Sequence, residues 1–196
     1  MHPPSRGLDP WLSEIEQIDR ALYAAVAGTH TPHLDRAMPR LSQAANYSRI
    51  SIAAAGLLAI VGGAKGRRAA GSGLACVAAT SACVNLIVKY LGRRPRPDLS
   101  LENVPVARRL TMPATSSFPS GHAAAAVAFA SGASRVLPVA GVGLYPVAAL
   151  VAYSRVHTGV HYPADVIAGA LSGAIIADLT TGAVCRARAK RRVGGC

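Results

Sequence analysis

Three short stretches hold most of the side chains in this sequence that could do chemistry. They are Lys89-Tyr-Leu-Gly-Arg-Arg-Pro-Arg96-Pro97, Pro119-Ser120-Gly121-His122, and Ser154-Arg155-Val-His-Thr-Gly-Val-His161-Tyr-Pro-Ala-Asp165. Together they supply cations, imidazoles, a carboxylate and a helix start, which is the set that phosphoryl transfer requires. Cations neutralise the equatorial oxygens of the transferring group. One imidazole can attack and another can protonate the leaving oxygen, while a carboxylate fixes the attacker's tautomer. Ser120 is a suitable N-cap for a helix opening at Gly121, where unpaired N–H groups form an anion site. Pro163 suits a first helical turn. That places Asp165 near a helix N-terminus and His161 just before it, close enough for a carboxylate to reach back to an imidazole nitrogen. Each piece has a plainer reading alone: an arginine loop in solvent, a cap, a first-turn acid, or a lysine snorkelling at a helix end. Their order, with all of them at one side of a helical bundle, favours the chemistry.

The elements that must position them are apolar helices. The chain has 196 residues, 51% of them hydrophobic and 15% charged, with a net charge of +12. That charged fraction is below the roughly 25% of soluble domains. The basic residues flank apolar segments as Lys65-Gly-Arg67-Arg68, Arg93 to Arg96 and Arg186 to Arg192. This is the pattern of anchoring at a membrane surface. Aromatic residues do not interleave with the charges, so nucleic-acid binding is not indicated.

Five spans are predicted, over Tyr47–Ala64, Ala69–Leu91, Gly121–Pro138, Val139–Tyr153 and Val166–Thr181, against the roughly 20 residues a bilayer core requires. Before them, Trp11, Leu12, Ile15, Ile18, Leu22 and Val26 recur at helical spacing. This segment is too charged to span and reads as an amphipathic helix at the interface or on the bundle rim. Leu34–Ala45 repeats the pattern more weakly. The expected class is therefore an all-α integral-membrane bundle in three parts. Residues 1–45 are a disordered start with amphipathic interfacial helices, 46–182 the membrane domain, and 183–196 a basic cytoplasmic tail. The polar first 20 residues lack a cleavable signal peptide's pattern. The four cysteines form neither a disulfide framework nor a zinc spacing.

The three clusters resemble the three-part signature of the type 2 phosphatidic acid phosphatase family: Lys-x6-Arg-Pro, Pro-Ser-Gly-His and Ser-Arg-x5-His-x3-Asp. All its positions are filled, and the wider resemblance runs from Ile15 to Thr181. Leu41-Ser-Gln-Ala-Ala-Asn46 and Tyr153–Pro163 look especially like actinobacterial members, some of which carry a following kinase domain that this sequence lacks. The resemblance implies a phosphohistidine intermediate and no metal or other cofactor. It makes His161 the nucleophile, Asp165 its orienting carboxylate and His122 the general acid. Lys89, Arg96, Ser120, the Gly121 amide and Arg155 would bind phosphate. Many bacterial members have six spans, and here the amphipathic segment stands where the first would be. His157, four residues before His161, invites a metal reading. Gly159 lies between them, however, and no Glu follows the first His as in a zinc-protease helix.

The expected substrate is a lipid phosphate such as phosphatidic acid. The alternative is a polyprenyl diphosphate or polyprenyl-phosphosugar in cell-wall precursor metabolism, because the signature specifies phosphoryl chemistry and leaves the tail open. The signature also occurs in soluble vanadium haloperoxidases, against which the apolar spans argue. The intact histidines argue against a silent membrane scaffold. Beyond substrate and membrane lipids, no protein partner is indicated. Lys65, Arg67 and Arg68 follow the first predicted span, and Arg186 to Arg192 follow the fifth. By the positive-inside rule these ends are cytoplasmic, so the site of this multi-pass plasma-membrane protein is expected on the extracytoplasmic side.

Overall fold

The computed structural model describes residues 10–84, 86, 94–100 and 104–193, and every regular element among them is helical. Helix α1 spans Pro10–Gly28, α2 Pro32–Ala44, α3 Arg49–Val61, α4 Gly63–Cys83, α5 Gly121–Ser134, α6 Gly141–His157 and α7 Pro163–Val193. A single 3-10 turn, Asn46–Ser48, joins α2 to α3 across a 68° bend. Tyr47 and Ser48 in this turn both take left-handed backbone angles, φ 55° and 57°. Non-glycine residues seldom adopt that conformation.

Helix α5 is the central element, packed on α4, α6 and α7. Its alanines make this possible: Ala123, Ala124, Ala128 and Ala133 are completely buried. Small residues let helix backbones approach closely in lipid. A Cβ at Gly169 would lie 2.3 Å from the Ser120 carbonyl oxygen, and one at Gly173 2.2 Å from that of Ala124. These two glycines bring the start of α7 against the start of α5 and so join the second and third motifs. The large apolar side chains face outward instead. Ile167, Leu171, Ile175 and Leu179, four residues apart along α7, are 59% to 63% exposed. Small residues inside and large ones outside are what a bilayer solvent selects.

The five helices α3–α7 occupy the five predicted segments with shifted bounds. Two stretches, Pro138–His157 and Pro163–Ala187, are each long and apolar enough to cross a membrane, and the bent pair Pro32–Ala44 with Asn46–Val61 qualifies together. The 14-residue α5 is about 21 Å long at 1.5 Å per residue, short of a roughly 30 Å hydrocarbon core. Lys65, Arg67 and Arg68 lie inside the first turns of α4, and the predicted end of that span near Leu91 lies outside the described residues. The segment expected as a basic tail continues α7 as far as Val193.

Helix α4 runs antiparallel to α5. Ala69 and Ala70 cluster with Ala133, while Thr80 and Val84 share a cavity with His122. Arg135, just after α5, pairs with Asp178 of α7. The basic start of α4 and the basic end of α7 therefore lie at the end of the bundle opposite the second and third motifs.

The N-terminal helix does not simply turn its apolar face inward. Asp19, Tyr23 and Ala27, spaced four apart, are buried, while Trp11, Ile15, Ile18 and Leu22 are at least half exposed. Polar partners in the bundle explain this orientation, because Asp19 and Tyr23 each bond to the segment around the third motif.

Candidate active site

The turn between α6 and α7 sets the position of His161. Thr158 N–H and Oγ1 both bond to the Ser154 carbonyl, which ends α6. The N–H groups of Val160 and His161 then converge on the Arg155 carbonyl, at 3.1 and 3.2 Å. The tight reversal needs Gly159 at φ 75°, a region open to glycine. Tyr23 donates its hydroxyl to the Gly159 carbonyl at 3.1 Å, pinning the turn to α1.

His161 is 2% exposed. Its Nδ1 lies 3.7 Å from Asp165 Oδ2, and its Nε2 lies 3.3 Å from Arg96 Nη1. The first distance is longer than a hydrogen bond; such catalytic contacts often tighten only when substrate binds. Asp165 is held firmly on its other sides. Oδ1 accepts from Arg94 Nη1 at 2.8 Å, and Oδ2 accepts from the Tyr162 N–H at 3.0 Å and from Ser117 Oγ. Burial pushes the His161 pKa down to about 4; Arg96 and Arg155 push the same way, and Asp165 opposes them. At neutral pH the ring is uncharged and keeps a lone pair.

Arg96 donates to the Val160 and Ser116 carbonyls and to Thr115. Burial lowers its pKa from the ordinary guanidinium value, against the pull of Asp165, but the group stays cationic. Arg155 is 3% exposed and donates through Nη1 to Ser42 of α2, while its Nε has no bonding partner among the described residues. Ser120 occupies the N-cap position of α5, yet its hydroxyl caps nothing, a departure from the sequence expectation. That buried Oγ has no partner among the described residues, and the Ser120 N–H donates to the Asp165 carbonyl at 2.9 Å. His122 Nε2 lies 2.9 Å from Asn46 Oδ1.

A cavity of about 630 Å³ opens onto Gly121, His122 and Arg155, and Gln43, Asn46, Thr80 and Thr111 make much of its wall polar. The structure thus brings His161, Asp165 and Arg96 into one cluster, and Gly121, His122 and Arg155 around the adjoining cavity. Lys89 lies outside the described residues.

Several participants carry no motif signal. Arg94 binds Asp19 at 2.7 Å and Asp165 at 2.8 Å, and it stacks over Tyr162. Burial lowers the Arg94 pKa, but Asp19 and Asp165 outweigh that and raise it above the ordinary value. Asp19 also accepts the Ala164 N–H at 2.7 Å. The sequence pattern gave no hint of this role, because Asp19 stands off the apolar face of α1. His157 joins a separate network: its Nε2 lies 3.1 Å from Asp35, which also binds the fully buried Arg108. Among the described residues no three His, Cys, Asp or Glu side chains are grouped to hold a metal ion.

Residues 70–188 match the PAP2 superfamily. The chain belongs to this family. All of the second and third motifs and the whole first motif fall inside the matched PAP2 region, whereas α1, α2 and α3 precede it. Among curated proteins, the decaprenylphosphoryl-5-phosphoribose phosphatases of two Mycobacterium tuberculosis strains are each 37% identical over 95 residues, 47% of this chain and 49% of theirs. The chain thus spans about half the length of the curated relatives it matches. Two solved structures superpose well. The first transmembrane PAP2 type phosphatidylglycerolphosphate phosphatase from Bacillus subtilis gives a TM-score of 0.65 at 23% identity, over 88% of this chain and 87% of that one. LpxE from Aquifex aeolicus gives 0.66 at 25% identity, over 83% and 93%. The likeness to the Bacillus subtilis structure is one of fold.

Proposed function

We propose that this protein is a membrane phosphatase that hydrolyses a lipid phosphate, with the residues above in the roles their positions suit. The observation that carries the reading is the His161 ring. It is buried and uncharged, and it lies between the Asp165 carboxylate and the Arg96 guanidinium. Nε2 attacks phosphorus as the bond to the leaving alkoxide breaks, giving a phosphohistidine. Asp165 keeps the proton on Nδ1 and balances the charge that develops on the ring. Arg96, Arg155 and Lys89 spread the charge of the transferring oxygens, with Ser120 Oγ and the Gly121 N–H as further donors. His122 gives its proton to the alkoxide. It then takes one from the water that attacks the phosphohistidine, releasing inorganic phosphate and restoring His161. In this scheme side chains supply all the positive charge, and no metal is needed.

The phosphate would sit at headgroup depth with its lipid tails in hydrocarbon. The fold places the basic ends of α4 and α7 opposite the second and third motifs, which supports a site on the extracytoplasmic side. A second reading rests on the polar wall of the cavity and on the curated relatives. A polyprenyl-phosphosugar phosphate would put hydroxyl groups against Asn46, Gln43 and Thr111. The deciding experiment is phosphate release from phosphatidic acid, phosphatidylglycerol phosphate, a polyprenyl diphosphate and a polyprenyl-phosphosugar phosphate, side by side, with a soluble sugar phosphate as control. Catalytic efficiency on the soluble control equal to that on the lipids would overturn the lipid assignment.

A further inference from the structure

The region that matches the family begins at residue 70, yet one of the described contacts to a motif histidine comes from well before it. Asn46 Oδ1 lies 2.9 Å from His122 Nε2, on the wall of the same cavity. Four residues earlier, Ser42 holds Arg155. The end of α2 thus sends one side chain to each of two motif residues. The chain sits in an unfavourable conformation next to this point, with Tyr47 and Ser48 both left-handed. Such strain persists only where the surrounding structure imposes it, often at functional sites. Here it turns the chain sharply between α2 and α3 with Asn46 beside the imidazole.

We propose that Asn46 is a positioning residue for His122, doing for the general acid what Asp165 does for the nucleophile. The inference rests on the general-acid reading of His122 given above. An amide oxygen can only accept, so the contact requires a proton on Nε2. The hydrogen bond fixes the plane and the tautomer of the ring. A neutral amide suits this position beside a phosphate site, because it orients the ring without adding a negative charge that would repel the substrate.

The test is a leaving-group comparison in detergent micelles. An aliphatic alkoxide must be protonated as it departs, whereas nitrophenolate leaves as a stable anion. For Asn46→Ala, kcat/KM for n-decyl phosphate should fall by about tenfold or more, the scale of loss from misplacing a catalytic group. With p-nitrophenyl phosphate it should change less than about threefold, since the acid contributes little there. Asn46→Asp, which keeps the acceptor oxygen, should restore the ratio between the two substrates even if both bind more weakly. His122→Ala is the control for the underlying reading and should show the same selectivity, more strongly. If His122→Ala is selective and Asn46→Ala slows both substrates alike, or neither, the positioning role is wrong while the general-acid reading stands. If His122→Ala itself slows both substrates equally, the general-acid reading fails, and the role of Asn46 fails with it.

Discussion

Arg94 reaches from the first motif loop to Asp19 on the N-terminal helix, Nη2 to Oδ2 at 2.7 Å, while its Nη1 holds Asp165 at 2.8 Å. One guanidinium therefore ties the carboxylate beside His161 to an element outside the family-matching region. Removing Asp19 leaves a largely buried cation half-paired and strips the Ala164 N–H of its acceptor. Asp19→Ala should cost up to about 3 kcal/mol of stability and should also lower turnover. Asp19→Asn, which keeps one of the two acceptor oxygens and the side chain's volume, should be milder on both counts. Thermal unfolding in detergent together with phosphate release measures this; an Asp19→Ala protein with unchanged melting and rate would remove α1 from the site's support.

The two histidines of the third motif should separate cleanly. His161→Ala should abolish turnover and phosphoenzyme formation. Asp165→Asn should be impaired through loss of imidazole orientation. His157→Ala should keep activity within about tenfold but lower the melting temperature, because it removes a buried partner of Asp35. An active His161→Ala beside an inactive His157→Ala would reverse the assignment.

The charge state of His161 gives a pH prediction. Its pKa is depressed to about 4, so the nucleophilic neutral ring exists above that value and is lost as pH falls through it. An ordinary histidine would lose it nearer 6.5. In nitrogen-labelled protein, the imidazole signal absent from His161→Ala should titrate below pH 5. A midpoint at 6 or above would mean that the ring is not desolvated as its burial indicates.

Activity should survive chelators and be blocked by vanadate. In the proposed mechanism the cations around the phosphate are side chains, and five-coordinate vanadate resembles the in-line transition state. Activity lost in EDTA and recovered with a divalent metal would sink the metal-free mechanism.

Sidedness is open to thiol labelling. In a variant freed of native cysteines, Ser100→Cys should react with an impermeant reagent in intact cells, and Ala64→Cys, next to Lys65, only after lysis. Both positions are exposed in the structure. The reverse pattern would place the site in the cytoplasm.

The sequence by itself determined the class and the residues on which the proposed chemistry rests. Lys89, Arg96, His122, Arg155, His161 and Asp165 stand at spacings that survive any detail of packing, because each motif is local to one loop or helix end. The apolar helices were legible from composition, since alanine and glycine crowd the segments that must pack closely in lipid. Tertiary structure decided the rest. It showed that α1 buries its Asp19 face, which helical periodicity in hydrophobicity cannot reveal, because a buried acid is favourable only once Arg94 and the Ala164 N–H stand opposite it. It carried α6 through Ser154 and Arg155, where partners in α2 replace water. It separated His157 from His161, four residues apart, into different networks by way of the left-handed Gly159. Asn46 came to His122 from 76 positions away. Contacts at such separation depend on how helices cross, and a single sequence holds no local trace of that geometry.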